Sequence, residues 1–402
     1  MNFPFYIAKR YLFSKKSYNV INIISGIAMV GIGVGAMAMV VVMSLFNGIQ
    51  NLVEDLYSSF DPAIKITVVE GKTFDATTIP KSKILSIEGV EFYSETLEET
   101  VLLKHRDKQS VATMKGVEKD FLEMSGLDTL TVEGELKLNN GEMPLAVVGY
   151  GIKYHLGVYI EGNYAGIKVY APNREKYSAT NPEKAFTKKS ILPGGVFTIN
   201  PDFDDKYMLV PLSFAREILN YTSAVSAIEL GLTQDANPDV VKEQIQSLIG
   251  EEYTVKTRYQ LNEVVFKTNN TEKWITFLIL IFILMIAMFN LVSAIAMIIM
   301  DKKKDIATLK ALGANKSNIS NIFLAEGMLI SIIGGLAGMA FGYGICFIQD
   351  TFGIVKLEGI VVDQYPVLMK WSDFGMILST VILIGVLASW FPVKIVVKKY
   401  MR

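Results

Sequence analysis

Hydrophobic and polar positions divide this chain into two kinds of block. In four of them, at residues 20–48, 274–300, 323–348 and 371–393, apolar residues run on almost without interruption. No charged residue occurs between Lys16 and Glu54, and none from Trp274 to Met300. Each block reaches the roughly 20 residues that carry a helix across a bilayer, so four transmembrane helices are predicted. The first is too long for the apolar core of a signal peptide, which runs about 7–15 residues, and reads as an uncleaved span. Ahead of it, in residues 1–19, Phe3, Phe5, Tyr6, Tyr11, Leu12 and Phe13 alternate with Lys9, Arg10, Lys15 and Lys16. That mixture suits an amphipathic helix resting on a membrane surface.

Residues 49–273 follow a different pattern. Short runs of strand-forming residues at 63–70, 90–97, 109–116, 165–170, 196–199 and 207–211 are separated by turn-forming residues. A strand at 226–232, a helix at 238–249 and a strand at 253–257 make a β-α-β tail, and the start of the block has the same cadence around a helix at 81–87. Two such halves flanking a central insert at about 118–215 predict a split β-α-β unit. The expected fold class is therefore an integral membrane α-helical protein with four transmembrane helices and a large α+β extracytoplasmic domain between the first and second.

The connector at 301–322 carries Lys302, Lys303, Lys304, Lys310 and Lys316. Lysine-rich short loops stay on the cytoplasmic side. The N-terminal segment and the tail at 394–402 are also basic, whereas the short loop at 349–370 is mixed. Both termini are thus expected inside and the large domain outside. Within the connector, Ile306, Leu309 and Gly313 share a helical face. Gly313 can end that helix in a left-handed conformation, and Asn315 suits the N-cap of a second helix with Ile319, Ile322, Phe323 and Glu326 along one side. Periodicity leaves two readings open, a docking helix or a solvated turn.

The residues Lys302-x-x-Asp305-Ile306-Ala307-x-Leu309-Lys310-x-x-Gly313-Ala314 resemble the coupling segment of the MacB/FtsX-like superfamily of ABC-transporter permeases, most of all the lipoprotein-releasing permeases of the LolC/LolE type. Ser44-Leu45-Phe46-Asn47-Gly48 is similar to that family's Ser-x-x-Asn-Gly signature at the end of the first span. The resemblance implies that Asp305, Ile306, Leu309, Lys310 and Gly313 seat on a separate ATPase subunit (LolD-like), which would hold ATP and Mg while this chain holds no cofactor. It further implies a second permease subunit, identical or paralogous, lipoprotein substrates, and a periplasmic lipoprotein carrier (LolA-like). The loop from Pro172 to Pro193 stands where one family member grips the carrier, so Tyr177, Phe186 and Lys188 are candidate carrier contacts; an ordinary surface loop is the plainer reading. A scaffold of the FtsX type, relaying ATPase motion to an envelope enzyme, is the alternative, although its external domain is typically smaller. A MacB-like efflux permease is a third reading; that type usually has its ATPase fused ahead of the first span, which nineteen residues precede here.

Small residues mark the spans. Gly31 and Gly35, and Gly334, Gly338 and Gly342, recur at four-residue spacing, which lets another helix approach closely; a second permease subunit is one such neighbour. Met43, Leu45, Phe46 and Trp274 lie at span ends and are candidate lining for a lipid chamber between subunits.

Composition narrows the chemistry. Of 402 residues, 51% are hydrophobic and 20% charged, and the mean hydropathy is +0.34, a mixture of spans and a polar domain. A net charge of −1 gives no electrostatic case for nucleic acid. The single cysteine, Cys346, excludes an internal disulfide. No phosphate loop is present, since no glycine precedes Lys316-Ser317. His105 and His155 are too scattered for a metal site. The acidic run Asp202, Asp204, Asp205 fails as a calcium loop because Tyr207 and Ser213 stand where glycine and glutamate are required. The chain is not expected to be an enzyme.

Overall fold

The computed structural model describes residues 3–13, 20–160, 165–173, 186–357 and 364–400. They fall into two compact units. One comprises Met1–Leu52 and, from Lys267 on, nearly all of the C-terminal part; the other is Val53–Phe266. In chain order the helices are α1 (Phe3–Phe13), α2 (Val20–Ser58), α3 (Lys81–Leu85), α4 (Lys119–Met124), α5 (Tyr150–Leu156), α6 (Pro201–Asp204) and α7 (Leu212–Leu219). They continue with α8 (Pro238–Ile249), α9 (Arg258–Leu261), α10 (Glu263–Asp301), α11 (Lys303–Ala311), α12 (Lys316–Phe352) and α13 (Trp371–Tyr400). The strands are β1 (Ile64–Val68), β2 (Phe74–Asp75), β3 (Val90–His105), β4 (Lys108–Val117), β5 (Thr131–Gly134), β6 (Asn139–Asn140) and β7 (Met143–Gly149), then β8 (Ile167–Pro172), β9 (Phe186–Phe197), β10 (Tyr207–Pro211), β11 (Ala224–Val225), β12 (Ala227–Leu232) and β13 (Tyr253–Thr257).

In the helical unit, α2, α10, α12 and α13 are long and apolar enough to cross a membrane. All four outrun the expected spans. α2 ends at Ser58 rather than 48, and α10 starts at Glu263, well before Trp274. Nothing in residues 49–58 or 263–273 breaks a helix, so each continues as a polar helix past its apolar stretch. α13 likewise passes through Pro392 instead of ending there. The bundle core includes Ile32, Met39, Leu291, Ile330 and Val381.

Glycines set the spacing of these helices. A Cβ on Gly338 would lie 1.9 Å from the carbonyl oxygen of Gly33, and one on Gly334 2.5 Å from that of Met29. Gly342 faces Val40, and Gly31 and Gly35 face Ala287 and Leu284 of α10. The small-residue positions offered above to a second subunit are therefore occupied by the chain's own helices.

In the other unit, β13-β1-β12-β3 form an antiparallel sheet. Strand, helix and strand recur at both ends of the unit, as β1-α3-β3 and β12-α8-β13, which is the split arrangement. α8 begins where Asn237 accepts from the Asp239 amide, with Pro238 at its first turn, and ends at Gly250. β3 has 16 residues, long enough to serve two sheets. Its second half pairs with β4 and β8, and the ring continues through β10, β7 and β9 back to β8, closing around Leu103, Met114, Val148 and Val169. The second subdomain thus begins inside β3, ahead of residue 118, because the barrel cannot close without β4.

A row of charges crosses the shared strands. Lys65 faces Glu229 and Glu98 faces Lys115 in direct cross-strand register. Lys115 Nζ lies 3.0 Å from Glu229, and Lys65 Nζ 3.1 Å from Glu98. Lys115 also sits over the rings of Phe60 and Phe121. Burial by itself would raise the Glu98 carboxyl, but Lys65 and Lys115 outweigh it and hold it below its usual value.

Candidate functional site

The connector between α10 and α12 is a folded element. α11 turns away from α10 after Asp301, where Lys302 leaves helical geometry. Its far end closes with Gly313 at φ +90°, whose amide donates to Lys310 O while Ala314 donates to Leu309 O. Asn315 then caps α12, its side chain accepting from the Asn318 amide at 2.8 Å.

Packing sorts the predicted docking residues into two groups. Ile306 is 3% exposed and belongs to the bundle core, and Leu309 packs against that core. Both hold α11 onto its own bundle; Ile306 is thereby unavailable to a partner, which corrects its assignment as a docking residue, whereas Leu309 keeps part of its surface exposed. Asp305 is half-buried: it accepts a hydrogen bond from the Tyr11 hydroxyl and lies 3.8 Å from Lys302 Nζ. Lys302 Nζ in turn stands 5.1 Å from the Tyr11 ring centre. Burial, with Asp305 beside it, pushes the Tyr11 phenol up to about 12. The outward ridge is formed by Lys303, Lys304, Ala307, Thr308, Lys310, Ala311 and Leu312, with Gly313 open beside it. Leu312 is 79% exposed and is the apolar residue a partner would cover. Sequence reasoning missed Leu312, although its place one residue before the helix-ending glycine was a usable signal. Tyr11 carried no signal, because its partners lie almost three hundred residues away.

Glu326 is also at this end. It is 4% exposed and its Oε2 has no hydrogen-bond partner among the described residues.

The remaining candidates lie elsewhere. Met43 is 1% exposed inside the bundle core, which removes it from any chamber wall. Leu45 and Phe46 are half-buried, and Trp274 is exposed with its ring against Phe277. Phe186 and Lys188 lie on β9, in antiparallel register with Pro172 and Tyr170 of β8, and so stand on the stem of a hairpin, as a segment tethered between two strand candidates would. Tyr177 lies outside the described residues.

At the opposite end of the bundle the structure joins residues that sequence reasoning had kept apart. The Asn47 side chain is fully buried; its amide nitrogen donates to Asp373 Oδ2 at 2.5 Å and to Leu368 O at 3.2 Å. Its oxygen accepts from Lys273 Nζ at 2.7 Å, and Lys273 lies 3.9 Å from Asp373. The Leu368 amide donates to Ser44 O, and a Cβ on Gly48 would lie 2.2 Å from Pro366 O. The Ser-x-x-Asn-Gly signature is therefore the seat on which the strap before α13 rests.

Four spans and a large external α+β domain define a multi-pass membrane protein whose inner connector presents a rigid, basic, apolar-tipped helix. The MacB-like periplasmic core domain family matches residues 25–248, and the FtsX-like permease C-terminal family matches residues 277–401. The first alone spans more than half of the chain, which belongs to the MacB/FtsX-like ABC-transporter permeases. Lipoprotein-releasing system transmembrane protein LolE of Haemophilus influenzae is 24% identical over 98% of this chain and 96% of its own length. LolC of Neisseria meningitidis is 23% identical over 96% of this chain and 95% of its own. The periplasmic region of MacB from Actinobacillus actinomycetemcomitans, 13% identical, superposes on 54% of this chain and 97% of its own with a TM-score of 0.38. The family matches make the large domain periplasmic and the chain a permease whose ATPase is a partner subunit.

Proposed function

We propose that this chain is the permease half of a transporter that releases lipoproteins from the outer leaflet of the cytoplasmic membrane to a periplasmic carrier. The observation that carries the reading is the likeness to LolC and LolE along nearly the whole length of both chains, coupling connector included. The ATPase docks on the exposed ridge of α11 around Leu312, and its closure moves that helix against the bundle. Energy sets a condition on the release step. Three acyl chains brought into water would cost on the order of 30 kcal/mol, at about 0.8 kcal/mol per methylene. They must pass under continuous apolar cover from the membrane to the carrier. Trp274, Leu45 and Phe46 are exposed or half-buried at the outer span ends and can contribute to that cover.

The test is reconstitution of the permease with its ATPase in lipid vesicles carrying a radiolabelled triacylated lipoprotein. ATP-dependent transfer of the label to a soluble carrier is the expected result. ATP turnover without transfer, together with co-purification of a peptidoglycan hydrolase, would replace this reading with an FtsX-like signalling scaffold.

A further inference from the structure

The connector joins the second and third spans, so the covalent route from it to the first runs back along the second span and through the whole of the large domain. Along the middle of the bundle the first span touches its neighbours through glycines and apolar side chains. Such contacts are weakly directional, and lipid competes with them on nearly equal terms. At the outer end the linkage is different in kind. Asn47 of the first span bonds Lys273 of the second and Asp373 of the fourth, and Ser44 O and Asn47 Nδ2 both hold the strap at Leu368. All of the hydrogen-bonding atoms of the Asn47 amide side chain are directed at named partners, two of them charged, and hydrogen bonds to charged groups are the strong ones. The strap backbone at Pro366 and Val367 lies so close to Gly48 that a side chain there would collide with it.

We infer that Asn47, Lys273 and Asp373 form a clasp that makes the outer ends of the first, second and fourth spans move as one body, with Asn47 as the positioning residue that ties the outer end of the first span to the other two, while Tyr11 of α1 meets the connector at the inner end. The clasp predicts that these ends keep their separation through the ATP cycle. It rests on the permease class; only its transport readout rests on the proposed lipoprotein release.

The test uses the full permease with its ATPase in nanodiscs, with Cys346→Ala to remove the native thiol. Nitroxide labels go on Asn51→Cys and Trp371→Cys, both exposed positions. The expected distance distribution is narrow and identical without nucleotide and with a non-hydrolysable ATP analogue. Asn47→Ala should broaden it, and release per ATP should fall about tenfold or more as bonds to two charged groups are lost. The exchanged pair Asn47→Asp with Asp373→Asn keeps one carboxylate and one amide around Lys273 and should restore both readouts. Should Asn47→Ala fail to assemble, the exchanged pair alone carries the test. A parent distance that changes with nucleotide, an Asn47→Ala distribution as narrow as the parent's, or an exchanged pair that stays broad would each overturn the clasp. A parent complex that moves no lipoprotein would overturn the proposed function, while the label distances would still decide on the clasp.

Discussion

The two ends of the helical bundle treat buried polar groups in opposite ways. At the outer end a connected group of them is paired, although Asn269 Nδ2, one turn before Lys273, has no hydrogen-bond partner among the described residues. Asn47 satisfies Lys273, Asp373 and the strap, and Gln349 donates to Val355 O and Tyr365 O while accepting from the Val355 amide. At the inner end Glu326 is buried with a carboxylate oxygen unpaired among the described residues, Leu312 is 79% exposed, and Gly313 has open space beside it. A buried carboxylate without partners costs a fold more than one that is paired and hydrogen-bonded. The outer end holds a closed group of paired side chains within the chain itself, whereas the inner end presents an exposed apolar residue and a buried carboxylate oxygen without a partner among the described residues.

The largest expected effect contrasts one charge from each end. Lys273→Met leaves Asp373 buried without its cation and should cost about 3 kcal/mol. Glu326→Gln removes a buried carboxyl whose Oε2 has no hydrogen-bond partner among the described residues and should be neutral or stabilising by about 1 kcal/mol. Thermal unfolding of the detergent-solubilised protein reads both; equal losses would erase the contrast between the ends.

A smaller effect separates the two faces of α11. Leu312→Asp should weaken ATPase binding about tenfold while leaving the melting temperature in place, as loss of an exposed interface anchor does. Leu309→Asp should instead lower the melting temperature by burying a charge against the bundle. Binding of the purified ATPase to each variant, measured beside its melting curve, sharpens the distinction. Variants that behave alike would return Leu309 to the docking face.

The smallest effect uses the paired charges of the periplasmic domain as a reference. Glu98 is held below its ordinary value of 4.5, so the stability it contributes is present above that pH and is lost as pH falls through its folded value. Asp61 is raised, chiefly by burial, and works in the opposite sense. Glu98→Gln should therefore flatten the acid limb of a stability-versus-pH curve and lower stability at neutral pH. An unchanged acid limb would mean that the row of charges is not what fails in acid.

Much of the fold was legible from local chemistry. β10, α8 and β13 begin and end where turn residues and caps predicted, and Gly313 and Asn315 close and open their helices as their backbone preferences require. The docking face was not. Ile306 and Leu309 were assigned through the family resemblance, which matches residue types along the segment and not the side each one faces; Ile306 is buried in its own bundle and Leu309 packs against it. Met43 failed for a related reason: in a span, a residue facing lipid and one facing another helix are equally apolar, so hydropathy does not distinguish them.

Alone, the order of residues determined what short range can determine: four apolar stretches, their orientation from lysine placement, strand and helix ends, and the glycine that stops α11. The tertiary structure decided which side of each helix is covered, and it brought Asn47 to Asp373 across 326 positions of sequence. The physical reason is that periodicity records that a face is apolar or that a polar group must be satisfied, while the group that covers or satisfies it is supplied only when distant segments pack together.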